Sequence, residues 1–450
     1  MDNLLNISPI DGRYKEKIKE LSDYFSEYAL IKYRVIVEIK WLLYLLEKGI
    51  INEKISKDEK EKLLSIIDKF NVSDAEIVKE KENVTKHDVK AVEYYLQDKL
   101  RSLNLERLIP FIHFTLTSED INNTSYNLMI TDGLKKVYLK KAKELIEELN
   151  TYSLKYKSVP MLAHTHGQNA TPTTVGKEFK IFVYRLESIV KLIESLKLRS
   201  KFSGAVGNYN CHVVAYPDVD WIKETKEFVE SLGLEYNPLT TQIESHDILC
   251  VLLSYIKTFH FIIKDLNSDL WLYISRNYFR EKANKNEVGS SVMPHKVNPI
   301  NHENSMANIE IANSIIDGLV NNLSISRMQR DLSDSSKLRN LGVVFSHGLI
   351  SMKETLVGLR KLELNEELLR EELNSHYEVL SEAIQTVLRK NKVDNAYELL
   401  KELSRGKTIT EEDIKSFVKG LSIPEEDKNR LLELTPDAYI GLADVIVEKN

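Results

Sequence analysis

The chain has 450 residues, 42% of them hydrophobic, enough for the cores of two or three domains. Its 62 basic and 68 acidic side chains leave a net charge of −6, which offers no electrostatic footprint for nucleic acid or an anionic membrane. Two cysteines, Cys211 and Cys250, lack CxxC spacing; this argues against a disulfide framework or zinc ribbon, fits a reducing compartment, and makes both buried small hydrophobes.

Met1-Asp2-Asn3-Leu4-Leu5 has no basic region followed by an apolar run, so no secretory signal is visible and the cytoplasm is the expected compartment. Ser8-Pro9-Ile10-Asp11-Gly12-Arg13-Tyr14 then sets a fixed cation beside a phenol just after a glycine. No proline falls between Pro9 and Pro110, so that span is free to be helical. Within it, Lys86-His87-Asp88 opens the helical run Val89 to Leu96. Thr117-Ser118-Glu119-Asp120 begins like a capped helix, with Ser118 as the N-cap and the two acids in the first turn. Capping accounts for much of this pattern. It leaves over two adjacent hydroxyls at a helix start, where free N–H groups can also hold a carboxylate.

Helical spacing continues through Leu134, Tyr138, Ala142, Leu145 and Leu149, and again through Phe179, Val183, Leu186, Ile189, Ile193 and Leu196. Between these runs lies Ala163-His164-Thr165-His166-Gly167-Gln168. Two histidines at i and i+2 suit one strand face of a metal site, but no further ligands stand at recognised spacing. The other readings are a packed structural histidine, or a proton donor that titrates near neutrality on a turn set by Gly167.

From about Ser245 to Ser275 the sequence is apolar nearly all round, which predicts a long helix surrounded by other helices in a bundle or at a subunit interface. Lys257 and His260 interrupt its greasiest part, which is too short for a bilayer span of about 20 residues. Gly289-Ser290-Ser291-Val292-Met293-Pro294-His295-Lys296-Val297-Asn298-Pro299 follows. The prolines exclude regular helix, and the polar groups between them have no core periodicity. The choice is between a linker and a catalytic loop, and fixed prolines beside a cation and an amide favour the loop. Arg327 to Arg339 gathers three arginines, one lysine and several serines, either a solvated face or a phosphate-binding segment. Beyond Leu362 the chain becomes richer in Glu and Lys with shorter helical periods. The expected division is therefore 1–110, 111–362 and 363–450.

The Gly289–Pro299 segment is similar to the signature sequence of the fumarase/aspartase superfamily, whose members release fumarate or a relative of it from a succinyl or aspartyl substrate. Thr165-His166-Gly167-Gln168, Lys86 to Tyr94, Thr240 to Glu244 and Arg327 to Arg339 narrow this. From Ser8 to about Gly342 the chain resembles the adenylosuccinate lyase family in its longer bacterial type. The resemblance implies an all-α fold of three helical domains around a central long-helix bundle, tetramerising so that each active site is built from three subunits.

It also implies cleavage of adenylosuccinate to AMP and fumarate, and of the related succinylcarboxamide ribotide, with no metal or organic cofactor. By resemblance Ser290 is the base, His166 the acid, Glu303 orients His166, and Lys296 and Asn298 stabilise developing carboxylate charge. Thr117, Ser118 and Ser291 bind substrate carboxylate. Arg13, Tyr14, Arg330, Ser335 and Arg339 bind phosphate and ribose, while Lys86, His87, Asp88, Gln168, Gln242, Val297 and Asn304 line the site. His87 is either a second acid or a phosphate ligand. Two positions depart from the family pattern: Asn169 stands where proline is expected, and Val292 where a smaller or polar residue is common. The rival readings are argininosuccinate lyase, which has no use for a phosphate cluster, and a helical scaffold, which would have lost catalytic groups.

Overall fold

The segment expected to be helical on all faces forms a 29-residue helix, Asp247–Ser275, in a computed structural model that describes residues 2–282, 293, 297–404 and 409–450. It starts two residues later than expected because His246 adopts φ 60°, while its carbonyl accepts the first helical bond from Cys250 N at 2.9 Å. Val251, Phe261, Trp271 and Leu272 remain exposed along it. That leaves apolar surface on several sides of one helix, as its sequence requires. No described helix is long and apolar enough to cross a membrane.

The chain divides into two compact units, each discontinuous in sequence: residues 1–142, 189–261 and 307–351 form one, and 143–188, 262–306 and 352–450 the other. In the first, Ser26 caps the helix Glu27–Glu47 by accepting from Ala29 N at 3.1 Å. This helix packs on Ser118–Gly133. Trp41, fully buried, is the hub of an aromatic core, edge-on to Phe202 and Phe228 at ring separations of 5.0 and 4.9 Å. At Ser118–Gly133 the expected cap is corrected by one residue. Thr117 is the N-cap, and its backbone N donates to Asp120 Oδ2 at 2.8 Å, so Ser118 opens the first turn.

Tyr138 sits in a π-helical turn, Leu134–Tyr138, and meets His260 Nε2 at 2.5 Å, while His260 Nδ1 faces Asn313 Oδ1 at 2.8 Å. Burial pushes His260 down to about 4, so it is neutral here. Gly348 lets the helix Leu341–Lys361 cross this pair closely: a Cβ there would lie 2.5 Å from the Tyr138 hydroxyl and 2.6 Å from His260 Nε2. Gly348→Ala is therefore expected to destabilise despite its gain in helix propensity. Overpacking costs ~1–3 kcal/mol against a gain of ~1 kcal/mol. The midpoint of urea unfolding should fall, and a raised midpoint would show that the crossing has room.

In the second unit the apolar stripe Phe179, Val183 and Leu186 is buried on the helix Val175–Ser195. Ile189 is half-buried, and Leu196 falls just beyond the helix end. Strands are few and short. Pro160–Thr165 and Gln168–Thr174 form an antiparallel hairpin, Phe279–Glu281 pairs with Leu362–Leu364, and among the described residues of the first unit the strands are the two-residue pair Arg199–Ser200 and Glu235–Tyr236. The composition shift at Leu362 coincides with the end of Leu341–Lys361 and the start of short helices. These close over a core of Ile384, Leu388, Ala396, Leu400, Ile409, Ile414, Val418 and Leu431.

The cysteines differ from expectation. Cys211 is exposed and Cys250 only half-buried: each stands in the first turn of its helix, Asn210–Ala215 and Asp247–Ser275, with its Sγ near a backbone carbonyl, Thr115 O for Cys211 and Val320 O for Cys250.

Candidate active site

In the first unit the polar motifs converge through shared carboxylates and amides. His87 caps the helix Asp88–Ser102, its Nδ1 accepting from Lys90 N at 3.1 Å. Lys86, in the left-handed region at φ 54°, turns the chain into it. Both side chains are exposed. Asp88 accepts from Arg34 Nη2 at 2.6 Å and lies 3.5 Å from Arg339 Nη2. Burial raises the Asp88 carboxyl, but Arg34, the Val89 N–H and Arg339 outweigh it and hold the group below the usual carboxylate range. Arg339 Nη1 also donates to Ser335 Oγ at 2.8 Å. Nearby, Arg330 Nη1 donates to Gln242 Oε1 at 2.8 Å, and Gln242 Nε2 to Ala205 O at 2.7 Å. Three pairs of sequence-selected residues, Arg330 with Gln242, Arg339 with Ser335 and Arg339 with Asp88, are thus in contact. Only Ser333–Leu338 of the arginine-rich segment is helical, so it is not one solvated helical face.

Thr117 and Ser118, both half-buried, stand on a buried electrostatic base. Asp120 Oδ1 accepts from Lys201 Nζ at 2.6 Å and from Ser203 N at 2.9 Å, with Asp120 and Lys201 both fully buried. Lys201 Nζ also donates to Gly204 O at 2.6 Å. Asn123 takes Lys201 N on its Oδ1 at 2.9 Å and returns Nδ2 to Lys201 O at 3.0 Å. The loop after Arg199–Ser200 is thereby fastened to the first turn that carries the two hydroxyls.

In the second unit His166 and Gly167 are the two loop residues of the hairpin, between the paired Thr165 and Gln168, with φ of 54° and 71°. Positive φ at both central positions defines the tight turn that matches strand twist, and it leaves His166 and Gln168 exposed. The base of the hairpin is held by Leu162, buried among Leu373, Val379 and Leu380. His164 behaves differently. Its Nε2 meets Arg276 Nη1 at 2.5 Å, and burial followed by the Arg276 charge lowers its pKa, so it serves as a neutral acceptor. Asn169, the departure from the family pattern, contacts the His376 ring at 3.1 Å.

Glu303 lies in the first turn of Ile300–Val320 and accepts from Trp271 Nε1 at 3.1 Å. His166 makes no hydrogen bond or ion pair among the described residues, so the expected His166–Glu303 contact is not made within one chain. Arg13 and Val297 are exposed, Tyr14, Asn298 and Asn304 half-buried. Ser290, Ser291 and Lys296 lie outside the described residues.

Sequence reasoning missed the supports. Arg34 is 2% exposed on a helix whose other buried residues are mostly apolar, and Glu38, four residues on, is equally buried and pairs with His113 at 2.6 Å. Two charges at i and i+4 on an apolar stripe are a legible signal of buried partners. Lys201 and Asn123 carry no such mark.

A family model described as lyase matches residues 12–312, and one described as adenylosuccinate lyase C-terminal matches 326–440. Fumarate lyase from Mesorhizobium sp. BNC1 shares the fold with TM-score 0.75 at 18% identity, covering 96% of this chain and 97% of that one. The 3-carboxy-cis,cis-muconate lactonizing enzyme of Pseudomonas putida gives 0.74 at 18%, covering 97% of each. Fold and family model together define a helical lyase. Sequence relatives are nearer. Adenylosuccinate lyase of Haemophilus influenzae is 47% identical over 100% of this chain and 99% of its own length, that of Legionella pneumophila strain Philadelphia 1 is 49% identical over 98% of each, and that of Escherichia coli K12 is 44% identical over 100% and 99%. The chain belongs to the adenylosuccinate lyase family.

Proposed function

We propose that this chain cleaves adenylosuccinate to AMP and fumarate, and succinylcarboxamide ribotide in the same way, by general acid–base β-elimination. The observation that carries this is coverage: relatives named adenylosuccinate lyase match 98–100% of the chain at 44–49% identity, so the whole architecture is shared and not only a loop.

Ser290 removes the proton from the carbon beside the succinyl carboxylate, leaving a dianionic aci-carboxylate that Lys296 and Asn298 stabilise. The C–N bond then breaks, its electron pair going to nitrogen, which takes a proton from His166. A serine needs a closed, cation-rich surrounding to act as base. Thr117, Ser118 and Ser291 hold substrate carboxylate. Arg13, Tyr14, Arg330, Ser335 and Arg339 hold phosphate and ribose, with Lys86, His87, Asp88, Gln168, Gln242, Val297 and Asn304 around them. The reaction requires no metal or organic cofactor, since a polar elimination involves no redox change.

The exposed His166 and the apolar residues left exposed on Asp247–Ser275 support a homotetramer in which another subunit's Glu303 orients each His166. We read 1–110, 111–362 and 363–450 as its three domains and the cytoplasm as its compartment. Mixing purified protein with adenylosuccinate should change the ultraviolet absorbance as AMP and fumarate form, with argininosuccinate unchanged. A folded protein inert toward adenylosuccinate would reject the assignment.

A further inference from the structure

Behind the proposed phosphate ligands lies a buried cluster that the chemistry above does not use. Glu119, His246 and Asp334 are 3%, 4% and 6% exposed, with side-chain atoms within 4.8 Å of one another. Glu119 follows Ser118 and Asp334 precedes Ser335, each next to a proposed ligand, and His246 comes four residues after Gln242. His246 Nε2 is 3.5 Å from Asp334 Oδ2, and its Nδ1 is 3.7 Å from Glu244 Oε2. Arg330 Nη2 is 3.9 Å from Glu119 Oε2. Neither His246 Nε2 nor Glu119 Oε1 makes a hydrogen bond among the described residues.

Three carboxyl groups therefore surround one imidazole, with Arg330 as the adjoining guanidinium. Buried carboxylates in that number need a second cation or a proton. The half-positive start of Asp247–Ser275 opposes charging His246, but it does so more weakly than the carboxylates at 3.5 and 3.7 Å attract the charge.

We propose that His246 is a positioning residue, held as an imidazolium between Asp334 and Glu119, that fixes Ser335 and Arg330 for the nucleotide phosphate. This rests on the assignment of those two residues to phosphate binding. The coupling runs through named bonds. Asp334 Oδ1 accepts from Ser335 N at 2.7 Å, so the direction of its carboxylate sets the Ser335 backbone. Arg330 is held between Glu119 on one side and Gln242 on the other. Without the imidazolium, Asp334 and Glu119 face each other as like charges, and both supports shift. The electrostatics agree at His246, where burial disfavours charge yet Asp334, Glu244 and Glu119 raise the pKa; at Glu119 burial pushes the carboxyl up to about 7 against the opposing pull of the His246 charge.

The test uses the full chain carrying His246→Gln and, separately, Asp334→Asn, which keeps an acceptor for Ser335 N and guards against a folding failure in the first. Both variants should raise KM for adenylosuccinate and Kd for AMP about tenfold or more, with kcat within about threefold, because ground-state and transition-state phosphate contacts weaken together. Competitive inhibition by fumarate, which carries no phosphate, should not move.

Unchanged KM and AMP affinity in both variants would overturn the proposal, as would a collapse of kcat with KM intact. Calorimetric binding of zinc or manganese alone to the unsubstituted protein, lost in His246→Gln, would replace the imidazolium with a metal centre and overturn it too. If the unsubstituted protein turns over adenylosuccinate and the variants match it, only this inference falls. If it fails on adenylosuccinate yet binds AMP, the AMP arm alone decides.

Discussion

Replacing His166 with asparagine is expected to lower kcat for fumarate release about 10²–10⁴-fold, the range that removal of a positioned general acid produces. Asparagine is the informative substitution because it tolerates the left-handed conformation that His166 occupies at φ 54°. The turn with Gly167 should therefore survive, and the hairpin, anchored by Leu162 in its own apolar cluster, should keep its place. Loss of rate then reports loss of the imidazole and not loss of the loop. His164→Asn provides the contrast. That ring is a neutral acceptor for Arg276, so its removal should cost stability of the hairpin base more than turnover. Ser290→Ala should match His166→Asn in size, since base and acid serve the two halves of one elimination. Steady-state assays on adenylosuccinate decide the matter: a His166→Asn enzyme that keeps more than about a tenth of its kcat would remove His166 from the chemistry.

How much of this was legible in the sequence depends on which physical signal each feature carries. The helix Asp247–Ser275 was visible because nearly every face is apolar, and its start was misjudged by two residues because nothing local marks His246 as left-handed. The hairpin was partly visible: Gly167 announced a turn that would expose His166. That both loop residues take positive φ follows from strand pairing, which sequence periodicity does not reach. The burial of the cysteines was misread because residue-type preference says nothing of position at an element edge. Arg330, Ser335 and Arg339 stood out as a dense charge run. Their individual partners, Gln242, Ser335 and Asp88, lie as far as 251 residues apart in sequence for Arg339 and Asp88, and only the fold brings them together. The least legible residues are those buried behind the ligands, such as Lys201, because a single lysine in a polar stretch carries no sign of burial.

Lys201→Met is expected to destabilise the first unit by ~3–5 kcal/mol, the cost of leaving one member of a buried ion pair without its partner. Both groups are fully buried and 2.6 Å apart, so no water can compensate the Asp120 carboxylate once the ammonium is gone. Its remaining donors are backbone N–H groups of Thr117, Ser203 and Gly204, which orient an anion but do not neutralise it. Asp120→Ala should cost at least as much. It strands Lys201 with Gly204 O as its remaining acceptor and also removes the partner of Thr117 N at the helix cap. The two changes meet at one contact, so the double variant should lose clearly less than the sum of the singles, a coupling of the kind expected for adjacent groups. Urea unfolding followed by tryptophan fluorescence reads this directly, since Trp41 and Trp221 both belong to the first unit and sit near one another at 6.5 Å. A single-variant loss below about 1 kcal/mol would mean that water reaches the pair and that its strength is that of an exposed bridge. If the larger loss is found, turnover measured well below the unfolding transition gives the functional consequence. With Asp120 no longer tied to Ser203 and Gly204, Thr117 and Ser118 lose their footing, and KM for adenylosuccinate should rise while the His166 hairpin, in the other unit, keeps its geometry.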